Sequence, residues 1–470
     1  MQQSAPEVGA SGFWASLRRN MRGEPHDYTS GSLARAITFL AVPMVLEMFM
    51  QAVFEVVDVF FVGRLGADAV AAVGLTGGLV IIVFSIATGL GMATTAMVAR
   101  RIGERDPQGA SRAAAQSILL GLASSIPVAL VGIAYPVELL TLMGASPSVA
   151  QTGAWYCTIL LGTNAVIVML FVLNSVFRGT GDAVIAMRVL WLANLLNMIL
   201  DPIFIFGWGP IPAWGVTGAA MATLTGRSVG VLLQLWILVR GSGRIQLKLS
   251  QIRLDLAVMA RLVKVSSTGV LQYLVSTASW LGMMRIIAEF GSAALAGYTI
   301  AVRLIIFALL PSWGMGNAAA TLVGQNLGAG KPDRAERAVW ISGFSNMVFL
   351  GIVAVIFIIF AQPLLRIFSP QDEVVAVGVT CLRIVSSSYL FLAFGMVMGQ
   401  SFNGAGDTWT PTKLNFLAYW LVQIPVAYVL SHPVGWGSSG VFIAIAIAQA
   451  TLAVASILVF RQGKWKSQAI

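Results

Sequence analysis

Glu47, Gln51, Glu55 and Asp58 recur at spacings of three and four residues inside an otherwise apolar run. At about 100° per residue they fall within roughly 80° of arc on one helix face. Asn194, Asn197 and Asp201 share a face in the same way in a later run. There Pro202 follows the acid, removes an amide and bends the helix. Carboxylates in this setting either bind and release a proton or small cation, or act as a polar network that only pins helices together. An ionised carboxylate at the bilayer centre costs at least about 2.5–3.5 kcal/mol, so both faces must look onto protein or water. Asp58 and Asp201 come near the outward ends of their runs and are expected to meet at one depth. They form the core of a coupling set, with Glu55 beside them. Glu47 is expected to pair with Arg227 in a buried structural ion pair.

The elements that position these residues follow from composition. Charged residues are 10% of the chain and hydrophobic ones 57%, against roughly 25% and 45–50% in soluble domains, so most of the mass belongs in lipid. Apolar runs of about 18–25 residues, long enough to cross roughly 30 Å of hydrocarbon, are placed near 36–62, 70–98, 114–135, 151–176, 186–207, 215–239, 263–288, 294–322, 338–362, 376–402, 413–431 and 440–460. Six fall in each half, and the halves are copies offset by 225 residues: Gly103, Pro107 and Ala110 return as Gly328, Pro332 and Ala335, and Phe177 to Asp182 returns as Phe402 to Asp407. The acids do not return, since Asp58 faces Met283 and Asp201 faces Val426. The predicted fold class is all-α: twelve transmembrane helices in two pseudo-symmetric six-helix bundles, a parallel repeat about an axis along the membrane normal, flanking a central cleft.

Basic residues concentrate at alternate breaks, including Arg100, Arg101 and Arg105, the stretch from Arg240 to Lys264, and Lys331, Arg334 and Arg337. The positive-inside rule then places both termini and the 240–264 linker in the cytoplasm of a cell (inner) membrane protein. The expected domains are a cytoplasmic segment at 1–33 with an interfacial helix, a first lobe at 34–239, a linker at 240–262, a second lobe at 263–461 and a tail at 462–470. The net charge of +10 is dispersed over these breaks, which argues against a nucleic-acid partner. Cys157 and Cys381 lie in apolar runs, and His26 and His432 flank the spans without companions, so no metal site and no cofactor are expected. No phosphate-cradling glycine loop is present, so transport is expected to draw on an ion gradient.

A substrate cavity is expected from Gln51 and Asn194 in the first lobe and Gln272, Tyr273, Ser276, Trp280 and Met283 in the seventh run, whose methionines and aromatics suit a pliable drug site. Pro43 and Pro202 are expected hinges, Arg285 and Glu289 an interfacial pair, and Arg303 a deep cation in need of a partner.

The stretches Val57 to Gly66, Phe177 to Asp182, Asn197 to Gly207, Gly215 to Thr223 and Thr321 to Pro332 resemble the multidrug and toxic compound extrusion family, and the likeness runs from about residue 34 onward. The resemblance implies an outward-opening V-shaped cleft and export of amphipathic, mostly cationic compounds in exchange for protons or sodium. Carried over by position, it implies a cation-binding cluster of Asp58, Asn197, Asp201 and Thr223, whose hard oxygens suit sodium as well as a proton. A second cation site in the C-terminal half is not expected, because the tenth run offers Ser386, Ser387 and Tyr389 in place of acids. The expected partners are small amphipathic cations and membrane lipids, with no obligate protein partner, so a monomer.

Two rival functions use the same sequence. A flippase for a lipid-linked precursor keeps the scaffold but needs a cationic cleft, whereas the first lobe is acidic. An intramembrane aspartate-dependent enzyme needs a second catalytic group beside the acids, and no histidine lies inside a span, so no enzymatic activity is expected.

Overall fold

The computed structural model describes residues 20, 21, 23, 26–241, 243–248 and 253–468. The interfacial helix expected near Phe13 to Leu17 lies outside the described residues.

The first half runs through α1 (Leu33–Val62), α2 (Ala67–Gly103), α3 (Pro107–Ala134), the short α4 (Pro136–Leu142), α5 (Pro147–Gly162), α6 (Asn164–Thr180), α7 (Ala183–Phe206) and α8 (Val216–Arg240). The second runs through α9 (Leu256–Ala288), α10 (Ser292–Gly328), α11 (Pro332–Arg366), α12 (Asp372–Ser387), α13 (Tyr389–Ala405), α14 (Trp409–Asn415), a π-helical segment (Phe416–Gln423), α15 (Ile424–Ser431) and α16 (Ser438–Arg461). Among the described residues nine helices are long and apolar enough to cross a membrane, and two further spans are bent pairs, α5 with α6 at 42° and α12 with α13 at 58°. The twelfth, α9, is 33 residues long and falls short only in apolarity. It carries Gln272, Tyr273, Ser276, Thr277 and Ser279, a composition tolerated where a helix lines a wet cleft.

The repeat governs backbone detail. The bends fall at Thr163 and Ser388, positions related by the same offset. The left-handed C-caps Gly181 (φ 87°) and Gly406 (φ 86°) are likewise equivalent. Arg105 (φ 60°) stands where the second half has Gly330 (φ 68°), so the first half holds a strained non-glycine residue at that turn.

The lobes meet through α1 and α2 of one and α9 and α10 of the other. A Cβ added to Gly89 would lie 2.6 Å from a Val270 methyl and from the Ser266 carbonyl, and one added to Gly314 would lie 2.7 Å from Val45 Cα. These are the same pair of positions with the halves exchanged. The helix ends repeat the exchange: a Cβ on Gly103 would lie 2.0 Å from the Gln325 carbonyl, and one on Gly328 would lie 2.1 Å from that of Arg100. Both seams occupy the C-terminal halves of α2 and α10, which are buried almost all round, while their N-terminal halves carry the exposed Val70, Gly74, Gly77, Arg303, Ile306 and Phe307. The two bundles therefore touch at the basic end and part at the other, giving a V-shaped cleft that opens away from the basic residues.

Chain segments tie that closed end. Lys331 Nζ donates to the Thr29 carbonyl (2.7 Å), and Arg334 donates to the carbonyls of Gly31 (2.9 Å), Ser30 (2.9 Å) and Tyr28 (3.4 Å). On the other side the Tyr28 hydroxyl donates to the Gly181 carbonyl (3.2 Å), and Arg244 donates to the His26 carbonyl. Residues 26–31 thus strap the first lobe to the start of α11. The strap is held by Asp27: burial works to raise its pKa, but hydrogen bonds from the Thr29 amide and the Thr29 and Ser30 hydroxyls bring it down to about 2. At the other terminus Arg100 donates to the Gln468 carbonyl, and Lys466 bridges Asp333 (3.4 Å) and Glu336 (2.6 Å).

Candidate functional site

The first lobe gathers its ionisable groups from four helices. Glycines allow the gathering: a Cβ on Gly218 would meet the Phe204 carbonyl at 2.2 Å and one on Gly226 the Ala193 carbonyl at 2.5 Å, so α8 lies directly against α7. That approach lets Asn197 Nδ2 donate to Thr223 Oγ1 at 3.0 Å. Asp201 sits one turn further along α7 with 0% of its surface exposed. Among the described residues neither of its carboxylate oxygens, nor Asn197 Oδ1, has a hydrogen-bond partner. Three buried acceptors without a donor, one turn apart on α7, are groups that a proton or a small hard cation satisfies, and their burial keeps a bulky molecule from them.

Asp58 is partly buried, and its charge reaches Asp201, Glu55 and Arg227. Sequence reasoning missed Tyr156 of α5, which is 8% exposed and lies within electrostatic range of Asp58, Arg227 and Asp201. An aromatic in an apolar run reads as core, and only the four-helix arrangement reveals its neighbours. A second chain of bonds runs along α1: Asn194 Nδ2 donates to Gln51 Oε1 (3.4 Å), and Gln51 Nε2 donates to Glu55 Oε1 (3.3 Å). Glu55 itself is exposed.

Glu47 is fully buried, and its partner is Arg178 of α6 at 3.5 Å, not Arg227. Side chains lean toward the N-terminus of their helix. Glu47 on α1 and Arg178 at the end of α6 therefore lean toward each other, whereas Arg227 on α8 leans away from Glu47 and toward Asp58. The charged neighbours of Arg227 are Asp58, Tyr156 and Glu55.

The cavity residues divide. Gln272 is 9% exposed, Tyr273 and Ser276 are half-buried and Trp280 is 38% exposed, while Met283 is fully buried in the second lobe's apolar core beside Ile287 and Tyr298. Met283 lies on the buried side of α9, so it is a packing residue and not a cavity residue. Ser276 Oγ accepts from Asn415 Nδ2 (3.2 Å), and Trp420 Nε1 donates to the Val275 carbonyl (2.9 Å), which couples α9 to the π-helical span. Pro43 and Pro202 both lie inside their helices. Glu289 pairs with His432 (3.0 Å) in place of Arg285, so His432 has a companion after all. Arg303 is exposed on α10. Both cysteines are free and buried, and no metal-ligand cluster occurs among the described residues.

A family model described as MatE matches residues 43–203 and 269–429, one copy in each lobe. The chain is 24% identical to "Probable multidrug resistance protein YoeA" of Bacillus subtilis (strain 168), covering 93% of this chain and 96% of that protein. It is 25% identical to a protein of Shewanella oneidensis named "FAD transporter", covering 92% and 95%. A solved structure described as the outward-facing conformation of a multidrug resistance MATE family transporter of the MOP superfamily superposes with a TM-score of 0.87 at 26% identity, covering 95% and 97%.

Proposed function

This chain belongs to the MatE family, and from that premise we propose that it is an antiporter that exports amphipathic cations in exchange for protons or sodium taken up at the first-lobe carboxylates. It is an integral membrane transporter and not an enzyme, as its family is. The observation that carries the proposal is Asp201: fully buried, with both oxygens unpartnered, one turn from Asn197 and within reach of the Asp58 charge.

From the open side, a proton or sodium ion enters this pocket and neutralises the Asp58 and Asp201 cluster. The lost charge removes the attraction for a bound organic cation, which leaves into the cleft. Asn197 and Thr223 supply the neutral oxygens a sodium ion requires, and Tyr156 supplies a hydroxyl at the rim. Rocking of the lobes about the glycine seams, with bending at Pro43 and Pro202, then exposes the site to the basic side, which we assign to the cytoplasm together with both termini. Each elementary charge moved down the potential contributes about 2.3 kcal/mol per 100 mV. No obligate protein partner enters this cycle.

A second substrate class is supported by one observation, the exposed Arg303 on α10, together with the relative named as an FAD transporter: an anionic flavin nucleotide with its phosphates on the second lobe. Proteoliposomes loaded with a fluorescent cation or with a flavin nucleotide, and challenged first with a proton gradient and then with a sodium gradient, distinguish both substrate and coupling ion. Cation efflux under either gradient is expected; efflux of the nucleotide alone overturns the cation reading.

A further inference from the structure

The first lobe holds two kinds of carboxylate that differ in who can reach them. Asp201 has no exposed surface, so only a proton or a bare ion gets to it. Glu55 is exposed, although it lies within α1 about two turns from the outer end, where an ionised group facing lipid is still costly. Its exposed surface therefore belongs to the cleft. Its surroundings come from three helices and both lobes: Gln51 on its own helix, Arg227 on α8 and Tyr273 across the cleft on α9. A carboxylate exposed to the cleft, with a tyrosine of the opposite lobe within electrostatic range, offers a flat organic cation both a charge and a ring.

We infer that Glu55 is the carboxylate that binds the organic cation, and that Arg227 is a tethered guanidinium which this cation displaces from it. The inference rests on the cation-export reading above and adds a division of labour to it. Asp201 takes the small coupling ion and Glu55 takes the substrate, with Asp58 between them and Arg227 shared between Glu55 and Asp58. No ion-pair contact to Arg227 within 4.0 Å occurs among the described residues, so its guanidinium is held near both acids without being locked to either. An incoming cation at Glu55 leaves Arg227 to Asp58, and this weakens the hold of Asp58 on a coupling ion. Binding of one cation is thereby set against binding of the other through a residue that never leaves the protein.

The two charges make predictions of opposite sign. Ethidium, a flat permanent cation, is titrated by its fluorescence against the purified full-length protein, and its gradient-driven efflux from proteoliposomes yields KM and kcat. Glu55→Gln is expected to weaken ethidium binding about tenfold and to raise KM by the same factor with little change in kcat. Glu55→Asp recovers most of the affinity, and Arg227→Met tightens binding several-fold because the internal competitor is gone. Asp201→Asn loses gradient-driven efflux and weakens ethidium binding less than Glu55→Gln does. Unchanged ethidium affinity in Glu55→Gln overturns the assignment. So does a collapse of kcat with binding preserved, which places Glu55 in the coupling step, and so does weaker binding in Arg227→Met, which makes the arginine a support and not a competitor. Wild-type protein that neither binds nor exports ethidium sinks the cation-export reading itself, a result visible before any variant is made.

Discussion

At the turns where the first lobe places Asp58 and Asp201, the second places Met283 and Val426. The backbones around them agree down to the bends at Thr163 and Ser388 and the caps at Gly181 and Gly406. The second lobe fills its equivalent interior with Met283, Ile287, Tyr298 and Phe442, a packed apolar core, and among the described residues its buried polar groups are all neutral, as where Ser312 donates to Asn346 (2.9 Å). Both lobes leave buried oxygens without a hydrogen-bond partner, but among the described residues only the first does so at carboxylates, those of Glu47 and Asp201. One scaffold thus carries a neutral interior in one half and buried carboxylates in the other, and the difference lies in a handful of side chains. The fifth and eleventh spans show it most directly: α7 is a regular helix that presents Asn194, Asn197 and Asp201, while its counterpart relaxes into a π-helical segment at Phe416–Gln423.

The largest expected effect breaks the asymmetry outright. Asp201→Asn should lower gradient-driven efflux more than a hundredfold, while Val426→Asn, at the equivalent position, should change it less than threefold. Equal losses at the two positions would mean that the lobes share the chemistry. The buried ion pair comes next. Arg178→Ala leaves Glu47 charged and alone and should cost about 3–5 kcal/mol of stability, seen as a lower melting temperature in detergent that Glu47→Gln restores. Arg227→Ala should cost clearly less, and the reverse order would reinstate the Glu47–Arg227 pairing.

That second test bears on what the sequence made legible. The repeat was visible because its glycines and prolines sit at polar connections, where few residues fit. The acidic face was visible because acids at helical spacing in an apolar run have few explanations. Pairing was not visible: position along the helices allows Glu47 either Arg227 or Arg178, and the lean of each side chain toward its own N-terminus selects Arg178. Tyr156 was hidden for a related reason, since its neighbours Asp58, Arg227 and Asp201 come from three other helices. Met283 was misread because a methionine has the same character in a cavity wall and in a core. Glu289 found His432 and not Arg285 through a fold contact that spans 143 positions of the chain.

A smaller effect sharpens the comparison by seeking sameness. Gly103→Ala and Gly328→Ala occupy exchanged positions in the seam, and each should destabilise the closed basic end by about 1–3 kcal/mol through backbone overlap. Spin labels on Arg105 and Arg337 should report a longer lobe-to-lobe distance, by similar amounts in both variants; a response from only one of them would show that the seam is not symmetric in energy. The smallest effect belongs to the strap. Arg334→Ala removes donors to three carbonyls and should shift the same distance distribution by about 1 kcal/mol. Because the folded-state pKa of Asp27 is depressed to about 2, its contribution is complete above the ordinary carboxylate range and is lost only as pH falls toward 2. Asp27 therefore adds no pH dependence to the strap between 5 and 8, whereas His26, whose pKa burial and the Arg244 charge lower, should weaken it as pH falls through the ordinary histidine range, measured by the same labels.

The seams have one more consequence. At Gly89, Gly314, Gly103 and Gly328 the lobes touch main chain to main chain, and at those points there are few side-chain rotamers to freeze on closing or to free on opening. Such a joint behaves as a plain bearing: little ordering cost attends each stroke there, and most of the resistance to movement resides in the charges that ride above it.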